Sequence, residues 1–80
     1  MGISETTVAR LLELCKERGI TVNKLATDSG VTQPTVNEIV NGVTKNFGIV
    51  TLKKLVDGLN ITITDFFDTE AFRKLEQEIK

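Results

Sequence analysis

Residues 21–42 read "TVNKLATDSGVTQPTVNEIVNG", and the punctuation of this stretch decides the fold. Two helical patterns of about two turns each flank Gly30. In the first, "VNKLATDS", Val22, Leu25 and Ala26 fall on one side, the i, i+3, i+4 spacing of a helix that buries a single face. Thr21 precedes it, where a hydroxyl accepts from the unpaired N–H groups of a first turn. The second pattern opens at Thr32, expected to cap in the same way, and carries Pro34 in its first turn, where a missing N–H costs nothing. Val36, Ile39 and Val40 are its apolar stripe, and Asn41-Gly42 closes it, with Gly42 supplying a left-handed turn. Val31 between the two is a buried spacer. Gln33, Asn37 and Glu38 are left together on the face pointing away from the stripe.

The flanking sequence supplies what two short helices lack. Val8, Leu11, Leu12 and Cys15 repeat at helical spacing, so a first helix is expected from about Glu5 to Arg18, capped by Ser4 or Thr6 and ended by Gly19. A loop, "VTKNFG", leads to a fourth helix with Ile49, Leu52, Leu55, Val56 and Leu59 inward, starting from Gly48 with Phe47 tucked against the core. Beyond "NIT", a fifth presents Ile63, Phe66 and Phe67. The remainder, "TEAFRKLEQEIK", sets Phe72, Leu75 and Ile79 on one face. "ITIT" at 61–64 alternates but has no partner strand, and its threonines serve better as caps. The expectation is an all-α, compact five-helix domain plus a short C-terminal amphipathic helix. Residues 1–68 form the domain, with its central two-helix unit at about 21–41, and residues 69–80 form a helical extension.

Composition narrows the chemistry. Eighty residues suit one domain, and a chain this short buries only about 60% of its unfolded surface, so few residues are spared from the core. With one Cys and no His, neither an internal disulfide nor a zinc-ligand set is available, and Cys15 reads as a small core residue. Nothing pairs a nucleophile with a base and no Gly-rich phosphate loop is present, so neither an enzyme nor a cofactor, metal or small-molecule ligand is expected. No apolar run exceeds two residues, which leaves no membrane span or secretory segment and points to a cytoplasmic protein.

The net charge of -1 hides an asymmetry. Residues 16–54 set Lys16, Arg18, Lys24, Lys45, Lys53 and Lys54 against Glu17, Asp28 and Glu38, for +3. Residues 55–80 set Arg73, Lys74 and Lys80 against Asp57, Asp65, Asp68, Glu70, Glu76 and Glu78, for -3. A basic middle beside an acidic tail is compatible with a polyanionic partner on one face only.

Two short helices meeting at a glycine turn make a helix-turn-helix, in which the first buttresses and the second offers its outer face to the major groove. Ala26, Val31, Val36 and Ile39 supply the small or apolar contacts between them. Gln33, Thr35, Asn37 and Glu38 suit base edges: Gln and Asn pair with adenine, Thr meets a thymine methyl, and Glu accepts from a cytosine amino group.

From Val8 to about Phe67, in "LLELCKERGIT", "LATDSGVTQPTVNEIVNG" and "TLKKLVDGLNITITDFF", the chain resembles the phage repressor and Cro family, the lambda-repressor-like or XRE fold. The resemblance implies a five-helix fold, double-stranded DNA as ligand, binding as a homodimer, and control of transcription, with repression by operator occupancy expected. Carried onto this sequence, Gln33, Pro34 and Glu38 fall at base-contacting positions, with Thr35 and Asn37 beside them. Asn41, Lys45 and Asn46 fall at phosphate positions just past the recognition helix. Thr21 and Asn23, at the start of the buttressing helix, and Thr32 fall near the backbone as well. Val22 stands where the family often has Gln, and "TKNFG" replaces a loop that often reads Lys or Arg followed by Pro. Phe72, Leu75 and Ile79 are the expected dimer contact, or else pack on their own domain. The competing reading is a protein-interaction module of the same fold, antitoxin-like or regulatory.

Overall fold

Helix α1 spans Ile3–Arg18 in the computed structural model, which describes residues 2–79. It starts earlier than the sequence suggested, and its N-cap is Gly2 rather than Ser4 or Thr6. Thr6 and Thr7 lie inside the helix and are buried. Their hydroxyls donate to the carbonyls of Gly2 at 3.0 Å and Ile3 at 2.7 Å, so a polar side chain is buried without leaving a donor unpaired. This turns the inward face. Leu11, Leu14 and Cys15 are buried, while Leu12, expected inside, is 41% exposed and Val8 is half-buried.

Five further helices follow among the described residues, and no strand: α2 Val22–Ser29, α3 Gln33–Val40, α4 Ile49–Gly58, α5 Ile63–Phe67 and α6 Glu70–Arg73. Thr21, Thr62 and Thr69 cap α2, α5 and α6, each hydroxyl accepting from the N–H of the third residue on. Leu11, Leu25, Val36, Ile39, Leu55, Val56 and Phe66 are all fully buried. Each such side chain contributes about 1.5–3 kcal/mol relative to exposure. The helix-turn-helix thus rests on α1 and α4, with α5 packed on α4 behind it, and is not a free-standing pair.

The tightest approach is between α2 and α4. A Cβ built on Gly58 would come within 3.1 Å of the Ser29 Cα and closer still to the Ser29 hydroxyl. That hydroxyl is buried and has no hydrogen-bond partner among the described residues. Gly58 is therefore present for space. The chain reversal after α4 falls to Asn60, at φ 57°, a left-handed conformation that Asn tolerates.

Ile49, expected inward, is 80% exposed as the first residue of α4, whereas Phe47 does pack against the core. The extension over 69–80 is helical only at Glu70–Arg73 among the described residues. Phe72 packs its ring 4.8 Å from that of Phe67 and 5.9 Å from that of Phe66. Leu75 is half-buried and Ile79 is exposed beyond the helix, so the three do not share a helical face. A twelve-residue helix with so little to bury is marginal in water.

Candidate nucleic-acid interface

The turn between α2 and α3 is built by Gly30 at φ 68°. Its N–H donates to the Thr27 carbonyl at 3.3 Å, and the Val31 N–H donates to the Ala26 carbonyl at 3.2 Å. These bonds satisfy the last carbonyls of α2, and Val31 turns against the core. α3 then leaves the turn with Val36 and Ile39 fully buried and Gln33, Pro34, Thr35, Asn37 and Glu38 all exposed. Eight residues thus carry two fully buried anchors and an outer face of five polar or short side chains.

Several of these side chains are already held. Thr32 occupies the N-cap of α3 but its hydroxyl makes no capping bond to the backbone, against expectation. It pairs instead with the Thr35 hydroxyl at 2.8 Å; the two short side chains face each other across one turn, and Pro34 has no N–H to offer a cap. At the far end, the Glu38 carbonyl accepts from the N–H of Val43 at 2.9 Å and of Thr44 at 3.2 Å. The Glu38 carboxylate accepts from the Thr44 hydroxyl at 3.2 Å. No signal in the sequence marked Thr44. Its role emerges only once Gly42, at φ 76°, folds the chain back over α3.

The expected phosphate contacts fall into two groups. Thr21, Asn23, Thr32 and Asn41 lie at helix ends and are exposed. Thr21 already accepts from the Lys24 N–H at 3.0 Å, which leaves its own proton free to donate. Lys45 and Asn46, also exposed, border a groove with Ser4 and Glu5 at the start of α1 and with Glu76 and Glu78 of the tail. The acidic tail is therefore near the loop that holds Lys45 and Asn46. Of the basic residues, Lys24 pairs with Asp28 at 2.9 Å and Lys53 pairs with Asp57, so neither is as free a cation as the sequence implied.

The sequence profile of the Cro/C1-type HTH DNA-binding domain matches residues 10–71, from the middle of α1 through α5 and into α6. The chain belongs to this family. A Cro/C1-type domain is a DNA-binding domain, and the packed α2–turn–α3 unit with its exposed outer face lies wholly within the matched residues. The chain is also 34% identical over 65 residues to the HTH-type transcriptional regulator SlrR of Bacillus subtilis (strain 168). That match covers 80% of this chain and 43% of SlrR, so the chain spans less than half the length of this relative. No solved structure matches. Among the described residues of this Cro/C1-type domain, no group of His, Cys, Asp and Glu is arranged to hold a metal ion, and no helix is long and apolar enough to cross a membrane.

Proposed function

We propose that this Cro/C1-type domain binds specific duplex DNA and regulates transcription, as a repressor, by occupying its operator as a homodimer. The observation that carries this reading is the outer face of α3, where Gln33, Pro34, Thr35, Asn37 and Glu38 are exposed over the buried Val36 and Ile39. A helix anchored on one side and polar on the other fits the major groove, and its first-turn side chains reach base edges there. Gln33, Thr35, Asn37 and Glu38 read bases and Pro34 lies against them. Thr21, Asn23, Thr32, Asn41, Lys45 and Asn46 fix the register on phosphates. Residues 69–80 follow this unit as an extension outside the reading surface. Such a role places the protein in the cytoplasm and requires no catalysis and no cofactor.

The test is selection of bound duplexes from a random pool at moderate salt, with the Gln33→Ala/Asn37→Ala double variant in parallel. An enriched inverted repeat that the variant loses supports reading by α3. Absence of enrichment at any salt overturns it in favour of a protein-binding module, for which Val43, Ile49 and Val50, each at least 67% exposed, are the apolar surface.

A further inference from the structure

The outer side of α1 carries a pattern that DNA reading does not use. Glu5, Ala9, Leu12 and Lys16 recur at intervals of four, three and four residues, so they form one stripe along the helix. All four are exposed. Leu12, Ala9 and the half-buried Val8 line, with Val40 of α3, a largely apolar groove of about 320 Å³. Leu12 is thus a large apolar side chain that the fold leaves in water.

The stripe is its own complement. Reversed end to end about a point between Arg10 and Leu11, it sets Ala9 opposite Leu12 and Glu5 opposite Lys16. Neither Glu5 nor Lys16 joins an ion pair among the described residues. We propose that this face docks a second copy of the chain, α1 against α1, antiparallel about a two-fold axis. Leu12 of each copy sits over Val8 and Ala9 of the other, and a Glu5–Lys16 ion pair closes each end. An isologous contact needs this self-complementarity, because every residue meets its counterpart twice. At a rise of 1.5 Å per residue the charged pair lies about 8 Å from the axis. That is close enough for two long side chains to meet at either common crossing angle.

The groove is also lined by Asn41, Gly42 and Lys45, so the axis brings the C-terminal ends of the two α3 helices toward each other and sets Asn41 and Lys45 at the rim of the contact. That consequence rests on the DNA-binding reading, whereas the association does not. The stripe is narrow, and the pair buries less than the ~1,200 Å² of a stable complex. Association in solution is accordingly weak, with Kd on the order of 10⁻⁴ M. Two copies on one operator overcome this through their effective concentration.

Sedimentation equilibrium of the full chain without DNA, from about 10 μM to about 1 mM, tests the proposal. A monomer–dimer equilibrium is expected. Lys16→Glu and Glu5→Lys each put like charges at both ends and weaken it by about tenfold, while the Glu5→Lys/Lys16→Glu double variant returns to within about threefold of the parent. Leu12→Gln removes the apolar contact and abolishes the dimer, and circular dichroism melts verify that each variant folds. A chain that stays monomeric throughout overturns the proposal. So does a dimer indifferent to Leu12→Gln, or a charge reversal that fails to restore it. Because no DNA is present, a failed operator selection leaves these outcomes standing.

Discussion

The carboxylate of Glu38 is hydrogen-bonded by the hydroxyl of Thr44 at 3.2 Å, so the one acid on α3 also holds the chain that follows it. In the proposed base-reading role this bond would orient the Glu38 carboxylate, and its charge would repel phosphates and so restrict binding to sequences that offer a partner. Glu38→Gln keeps an acceptor for Thr44 and removes the charge. The expected result is tighter binding to unrelated duplexes, with discrimination at one base pair reduced by about 1–3 kcal/mol. Competition binding against single-base operator variants measures both.

Gln33→Ala and Lys45→Ala separate reading from holding. The first is expected to cost about 1–3 kcal/mol at one base pair and to relax preference there. The second weakens all sequences alike and lowers the salt slope of log K by about one. Affinity and preference both unchanged in Gln33→Ala would remove that residue from the reading face.

Ser29 and Gly58 make a stability prediction that involves no DNA. Gly58→Ala gains helix propensity but drives a methyl into the Ser29 backbone and side chain. Overpacking of this kind costs about 1–3 kcal/mol. Ser29→Ala removes a buried hydroxyl without a partner and is expected to stabilise by about 1 kcal/mol, the lower end of the cost of an unsatisfied polar group. Urea denaturation of the two variants reports both signs.

Arg10 donates to the Phe66 carbonyl at 2.9 Å and the Asp65 carbonyl at 3.2 Å, tying α1 to the end of α5. Arg10→Ala takes the donor from the Phe66 carbonyl, while the Asp65 carbonyl keeps the Asp68 N–H, and is expected to cost about 1–3 kcal/mol. That corresponds to roughly 4–8 °C in Tm per kcal/mol for a domain of this size. Arg10→Lys recovers only part of it, since an ammonium lacks the fork.

Burial pushes the Cys15 thiol above its ordinary value, while the Arg18 guanidinium pulls it the other way. The unfolded thiol therefore releases its proton at a lower pH than the folded one. This contribution to stability is intact below the ordinary thiol value of about 8.5 and is lost as pH rises through the raised folded value. Urea midpoints measured from neutral to alkaline pH are expected to fall in that window, and less so in Cys15→Ala. At neutral pH the folded thiol resists alkylation.

The helix-turn-helix was legible in the sequence because its signals are local. Thr21 caps, Gly30 and Gly42 turn, and Val36 and Ile39 are anchors as their spacing requires. What the sequence concealed depends on partners distant along the chain. "LL" at 11–12 was expected inward as a pair, but Leu11 is buried and Leu12 is exposed, with Thr6 and Thr7 filling inward positions because their hydroxyls are satisfied within the helix. Thr32 stands at a cap position, yet Thr35 takes its hydroxyl. Nothing in the sequence marked Gly58, which only the folded chain sets against Ser29. In the candidate site the residue types on α3 were readable, but the Thr44 bond and the nearness of the tail to Lys45 required the folded chain.

The bond from Arg10 to Phe66 also sets an order of events during synthesis. It spans 56 positions, and α1, α2 and α3 are all made before Phe66 is added. Helices of eight residues do not persist alone, and until α4 arrives the face of α2 that packs on it, with Ser29 beside Gly58, stays uncovered. At roughly 5–20 residues per second, that interval lasts a few seconds on the ribosome. The nascent chain therefore carries the α2–turn–α3 sequence through that interval before its core is complete, which comes only with Phe66, its last fully buried aromatic.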